Sequence, residues 1–446
     1  MKAFRAAIFH LLNDPATVAE QDAYEYWEDG GLLVEDGRVT AIGPWAEVVR
    51  QMPRDTVVTH FKDALILPGF VDTHVHFPQI DVIASYGVQL LDWLKNYTFP
   101  AEQKFADATH ASAMSTFFLE ELLKNGTTSA LIFSTVHKQA TDILFQAAQK
   151  LRMRIIAGKS LMDRNAPTAL CDTAESGYAD SAELIKKWHG CGRLSYAVTP
   201  RFAVTSTPEQ LSAAGRLVKE NPGVYMQTHM SENDQEVALI KELFPSAQNY
   251  LSVYDDAGLL CDHSVFAHCI HLEQDEFNRL GKAGAGIAFC PTSNLFLGSG
   301  LFDLKRALTH DIKVGLGTDV GGGTSFSMFQ TMAEAYKVCQ MRGAPLDPLH
   351  SMYLATLGGA KTLNLDEKIG NLHPGKEADF IVIDTHSSPL ISHRYGLAQS
   401  PSEKMFVLNI LGDDRLIRST FILGEAVYER DQASPGRSPV NSTTLK

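Results

Sequence analysis

The chain has 446 residues, a formal net charge of −13, 45% hydrophobic and 20% charged residues. That is enough chain for two or three domains, or for one large barrel with a satellite, and enough to bury a core without covalent staples. The acidic balance disfavours a nucleic-acid polymer or an anionic membrane surface as partner, but leaves a small neutral ligand open.

In chain order, the first stretch to about residue 64 is a set of short β runs. Ala6 to His10 is one, and two more flank the turn Glu35-Asp36-Gly37-Arg38. From residue 65 the rhythm changes to apolar runs alternating with helical patterns, which predicts βα units and a parallel sheet. Eight strands are expected: Ala64–Val71, Thr127–Phe133, Arg154–Leu161, Arg193–Thr199, Val224–Thr228, Ser264–Ala267, Gly286–Phe289 and Lys313–Gly317. Eight units over about 250 residues fit an α/β (β/α)₈ barrel. A doubly wound open sheet is the alternative, but no glycine-rich phosphate fingerprint follows the first strand. The connection from 77 to 105 is long and carries Tyr86, Leu90, Trp93, Phe99 and Phe105, as a lid or a rim helix would. Helices are expected from Asp319 to about Leu365, then a return to strand through Gly370 to Asp384 and a final hairpin, Leu416 to Phe421 with Glu425 to Tyr428. The expected division is 1–64 and 369–430 forming one small β-sandwich domain, a barrel over 65–368, and a disordered polar tail over 431–446.

The six cysteines, Cys171, Cys191, Cys261, Cys269, Cys290 and Cys339, form no C-x-x-C pair. Reduced, buried thiols in a cytoplasmic protein are the expectation. The first ten residues lack a signal-peptide core, and no apolar run reaches about 18 residues, so no membrane span is expected.

The chemistry concentrates in Pro68-Gly69-Phe70-Val71-Asp72-Thr73-His74-Val75-His76-Phe77-Pro78-Gln79. Alternate residues of a strand share a face, so His74 and His76 point the same way with Cα atoms roughly 7 Å apart, close enough to share one metal. A lone H-x-H among sixteen histidines is weak evidence. The strength comes from matched positions downstream. His229 ends the fifth strand, His268 the sixth and Asp319 the eighth, all at the C-terminal ends where barrels build their sites. Imidazoles with a carboxylate suit zinc, with iron the second choice. Singly, each has a plainer reading: a hydrogen-bonded strand-end histidine, or an aspartate capping a helix. Five matched positions do not fit that reading together.

With these motifs in place the chain resembles the amidohydrolase superfamily, and within it the guanine deaminase family. The narrower signature is His76-Phe77-Pro78-Gln79 with Arg201-Phe202 and His229-Met230-Ser231-Glu232. Binuclear members of the superfamily carry a carbamylated lysine at the end of strand four. Here that strand ends Val198-Thr199-Pro200-Arg201, so the resemblance implies one metal per chain, Zn²⁺ by preference, held by His74, His76, His229 and Asp319. No P-C-x-x-C of the other zinc deaminase class occurs. The implied reaction is attack of metal-activated water on C2 of guanine, giving xanthine and ammonia. Glu232 is the expected proton carrier, Asp319 accepts the water proton, and His268 stabilises the tetrahedral intermediate. Arg201 offers a fork that matches O6 and N7 of guanine. Gln79 has a donor and an acceptor for the N1–H side, Phe202 an aromatic face, and His76, His229 and Glu232 the walls beside the base. Plainer readings remain for Arg201, a surface ion pair, and for Glu232, a solvated carboxylate in a first helical turn. Asn294 is read as shaping its loop. The resemblance also implies a homodimer. Two rivals stay open: an amidohydrolase for another aminated heterocycle, and a non-catalytic scaffold on the same fold.

Overall fold

The computed structural model describes residues 1–87 and 89–430, so the expectation of a disordered tail over 431–446 lies outside the described residues. Among the described residues sixteen strands form two sheets. In chain order they are β1 (Lys2–Leu11), β2 (Tyr24–Glu35), β3 (Arg38–Pro44), β4 (Val57–Pro68), β5 (Phe70–His76), β6 (Thr127–Phe133), β7 (Arg154–Gly158), β8 (Ser160–Leu161), β9 (Ser195–Pro200), β10 (Tyr225–Met230), β11 (Ser264–His268), β12 (Gly286–Phe289), β13 (Lys313–Leu316), β14 (Phe380–Asp384), β15 (Ile417–Ile422) and β16 (Glu425–Glu429).

Strands β5 to β13 are the parallel barrel, in the order β13-β12-β11-β10-β9-β7-β6-β5, with β8 pairing β9. The seam between β13 and β5 is closed by side-chain and loop bonds rather than a ladder. Thr73 Oγ1 donates to the Leu316 carbonyl (2.9 Å), and the Asp319 amide donates to the His74 carbonyl (2.8 Å). Gly315 lies so close to Thr73 that a β-carbon there would sit 2.4 Å from its methyl group. The eight barrel strands are fully or almost fully buried, as the continuous apolar runs require.

The second sheet is mixed and seven-stranded, in the order β16-β15-β14-β4-β1-β2-β3, with β1 and β4 parallel and the rest antiparallel. It takes strands from both ends of the chain. It curls so that its two ends approach: Gly37 meets Leu423, and Gly424 meets Val34. Inside the curl Phe4 packs edge-on against Phe380 and Phe421, whose rings stack 4.4 Å apart. The expected sandwich is therefore one sheet folded over its own core.

One expected strand is corrected. Ala64–Val71 is not the first barrel strand. Ala64 to Pro68 belong to β4 and pair with β14, while the barrel begins at Phe70. The expected division at 64/65 thus falls inside a strand of the small sheet. The apolar run is continuous because both sheets bury it, and the change of sheet is carried by Gly69. A β-carbon at Gly69 would lie 2.2 Å from Thr128 Oγ1. The segment after β14 also holds two helices, Pro389–Leu397 and Pro401–Leu411, that the β expectation omitted. The second packs beside the helices after the barrel, with Asn409 donating to the Pro348 carbonyl.

The small sheet is fastened under the barrel by a buried ion cluster. Arg154 at the start of β7 binds Glu377 through both Nε (2.9 Å) and Nη2, and Arg193 Nη2 binds Glu377 (2.7 Å) and Asp379. Removing one partner leaves buried charge uncompensated. Glu377→Ala should therefore lower unfolding stability by about 3 kcal/mol, read from denaturant titration. A change below about 1 kcal/mol would show that the cluster is solvated and not structural.

Candidate active site

Five groups meet at the C-terminal mouth of the barrel. Strand alternation puts His74 and His76 on the inner face of β5, their rings 4.9 Å apart. His229 comes from β10, His268 ends β11, and Asp319 follows β13. Nε2 of His74 and Nε2 of His76 each lie 3.2 Å from Asp319 Oδ1. Nε2 of His76 is 3.0 Å from Nε2 of His229. Nε2 of His268 lies 3.7 Å from Asp319 Oδ2. The ligating atoms of His74, His229, His268 and Asp319 are all within 4.8 Å of one another.

The backbone is bent to make this possible. Ser231, His268 and Asp319 all have positive φ, at 52°, 71° and 49°. Such conformations cost non-glycine residues free energy and persist where the surroundings enforce them. Part of the enforcement is Asp72, buried one strand-step before His74. It accepts the Thr318 hydroxyl (2.5 Å), the Thr318 amide (3.1 Å) and the His74 amide (3.1 Å), while burial pushes its carboxyl up to about 6. Asp72 was not singled out from sequence, though it sits within the organising motif.

The donor set suits a divalent cation. His229 Nδ1 donates to the Arg201 carbonyl (2.7 Å), which leaves Nε2 as a bare lone pair facing His76. Burial lowers both rings, His76 to about 3, so both are neutral at neutral pH. Burial alone would raise Asp319, but the adjacent His74 and His76 rings outweigh it and hold the carboxylate well below its usual range. Nε2 of His74 and Nε2 of His268 are buried without a hydrogen-bond partner. Buried imidazole nitrogens converging beside a carboxylate are what a zinc-type ion requires. His268 is oriented from behind by Asn294, whose Oδ1 lies 2.8 Å from Nδ1. Asn294 thus does more than shape its loop.

Glu232 faces this cluster from the loop after β10. It is buried, with Oε2 3.4 Å from His268 Nε2 and Oε1 accepting from Ser299 Oγ (3.2 Å). Burial and the nearby Asp319 charge push its carboxyl up to about 8. The solvated first-turn reading is thereby excluded. The helix Asp234–Leu243 is capped by Asn233 in a box with Glu236, so Glu232 precedes it and turns inward. Glu236 holds the Glu232 amide at 2.8 Å and is itself bound by Tyr250 (2.6 Å).

Above the cluster is a cleft of about 380 Å³. Gln79, Arg201, Phe202, Glu232, His268 and Asp319 line it with His76 and His229, and Leu297 closes one side. All the sequence-predicted residues except His74, which lies beneath, reach this wall. The long connection supplies the roof as a broken helix over Leu90–Gln103. Of its aromatic residues Trp93 lines the cleft. Tyr86 is 82% exposed, Phe105 packs on Phe77 and His110, and Phe99 lies under the Arg201 guanidinium. Arg201 is not on the surface. It is buried with Glu102, a fully buried carboxylate that sequence reading missed. Ser299 was also missed: serines in loops carry no signal without the fold.

An amidohydrolase family model matches residues 65–427. Guanine deaminase of Escherichia coli is 50% identical over 97% of this chain and 98% of that protein. The E. coli guanine deaminase structure superposes with a TM-score of 0.95, covering 97% of this chain and 100% of that one. A Clostridium acetobutylicum guanine deaminase solved with bound guanine is 29% identical, with a TM-score of 0.86 over 96% of this chain and all of its own. The chain belongs to the amidohydrolase family, and within it to the guanine deaminases.

Proposed function

We propose that the cleft hydrolyses guanine to xanthine and ammonia with one Zn²⁺ per chain, Fe²⁺ being the alternative ion. The observation that carries this is the buried, proton-bearing Glu232 between a set of metal donors and the Arg201–Gln79 wall. The shared activity of the guanine deaminases that this chain resembles supports the substrate. His74, His76, His229 and Asp319 would hold the ion, which supplies a water of lowered pKa as the nucleophile. His268 then remains free to hydrogen-bond the attacking and developing oxygen.

The protein's own groups move the protons. Glu232, held protonated at neutral pH by burial and by Asp319, delivers its proton to N3 as the C2–O bond forms. The low-pKa Asp319 receives the proton lost by water. As the C2–N2 bond breaks, the now ionised Glu232 takes the proton of the C2 hydroxyl and passes it to the amine, which leaves as ammonia while the C2 carbonyl forms, and the proton held by Asp319 returns to Glu232. Arg201 and Gln79 hold the pyrimidine edge of the base, and Phe202 and Trp93 offer faces for the ring. No described helix is long and apolar enough to cross a membrane. Six unpaired cysteines suit the cytoplasm, and the family resemblance supports a homodimer.

Purified protein should deaminate guanine, monitored by the guanine-to-xanthine absorbance change, and leave cytosine and adenine untouched. Glu232→Gln should lower kcat by about 10²- to 10⁴-fold with metal content unchanged. A kcat within threefold of wild type would remove Glu232 from the proton path. Arg201→Ala should cost about 2–4 kcal/mol in kcat/KM for guanine. Intact guanine turnover in that variant would favour a different aminated heterocycle as substrate.

A further inference from the structure

Glu102 lies outside the cleft wall, yet touches both side chains that read the base. Its carboxylate oxygens are each 2.7 Å from Arg201 Nη1, and Oε1 is 3.4 Å from Gln79 Nε2. All three residues are buried. We propose that Glu102 is a positioning residue that sets the donor–acceptor polarity of the recognition edge and so selects a lactam over an aminopyrimidine edge.

The argument is one of hydrogen-bond inventory. An ionised carboxylate only accepts, and a guanidinium only donates. The Gln79 amide does both, and alone could turn either end to the ligand. With Glu102 behind it, the NH₂ group must face the carboxylate, whichever way the amide is drawn. The Gln79 carbonyl oxygen is then the end left for the cleft. Arg201, with Nη1 committed to Glu102, keeps its remaining donors for the ligand. The wall therefore offers donors from Arg201 beside an acceptor from Gln79. The lactam edge of guanine is the complement, with O6 accepting and N1–H donating. The 6-amino edge of adenine or 2,6-diaminopurine is the reverse, with an amine donating and N1 accepting. Such a mismatch leaves buried polar groups unpaired, which discriminates far better than shape.

The lid is part of the same device. Glu102 and Phe99 belong to the helix Phe99–Gln103, and the Arg201 guanidinium carbon sits 5.6 Å from the centre of the Phe99 ring. One lid helix thus grips Arg201 by charge and by ring face. Glu102 also balances the Arg201 charge, so that the wall suits a neutral base.

This inference rests on the guanine reading, and the test separates the two. Guanine and 2,6-diaminopurine both carry the C2 amine, and their kcat/KM values are compared in the full-length metal-loaded protein. Wild type should favour guanine strongly. Glu102→Gln, which can present NH₂ as well as oxygen, should cut that preference about tenfold or more, mainly through KM for guanine. Metal content should stay at the wild-type level, and Glu102→Asp should keep more of the preference than Glu102→Gln. Equal loss for both substrates, or an unchanged ratio, would overturn the role while leaving guanine deamination standing. Wild type that fails on guanine would sink the function reading and this one with it. A measurement without variants guards against misfolding. Hypoxanthine, which keeps the lactam edge, should inhibit wild type about tenfold more tightly than adenine. Equal inhibition would contradict the assigned polarity.

Discussion

Asp319 ties the molecule together twice. Its amide bonds to the His74 carbonyl and helps close the seam between the first and last barrel strands. Its carboxylate meets His74 and His76 across the same seam. Barrel closure and site assembly are therefore one interaction. Asp72 reinforces it from below by binding both Thr318 and the His74 amide. A small displacement of either strand would open the barrel and scatter the donors together.

The second constraint is electrostatic. Two carboxylates share one buried space and are driven in opposite directions. Asp319 gains imidazole partners and is held well below the usual carboxylate range, whereas burial and the Asp319 charge push the Glu232 carboxyl up to about 8, against the opposing hydrogen bond from Ser299. In the proposed mechanism that separation makes one the proton acceptor and the other the donor. The lid helix adds apolar side chains to the cleft wall with Leu90, Trp93 and Leu94. The arrangement needs His229 locked with its proton on Nδ1, which the Arg201 carbonyl enforces. Arg201 thus holds His229 through its backbone carbonyl and lines the cleft through its side chain.

Much of this was legible in the chain. Period-two spacing put His74 and His76 on one face, and the alternation of apolar runs with helical patterns revealed the eight-stranded barrel. The strand-end positions of His229, His268 and Asp319 followed. What stayed hidden has physical reasons. Residues 64 to 71 are apolar throughout because two different sheets bury them, so hydropathy could not mark the passage at Gly69. Glu102 looked like an ordinary helical acid, since the partner that buries it is 99 residues away. The helices after β14 are weakly amphipathic and sit between strands of one sheet, where continuity of β structure was the simpler expectation.

The proposed catalyst is one divalent ion held by this donor set. The direct measurement is a zinc titration of chelator-stripped, folded protein with guanine turnover as the readout. Activity should be absent without metal, rise linearly and stop at one zinc per chain. Guanine turnover in the stripped protein, or a break at two zinc ions per chain, would contradict a single catalytic ion.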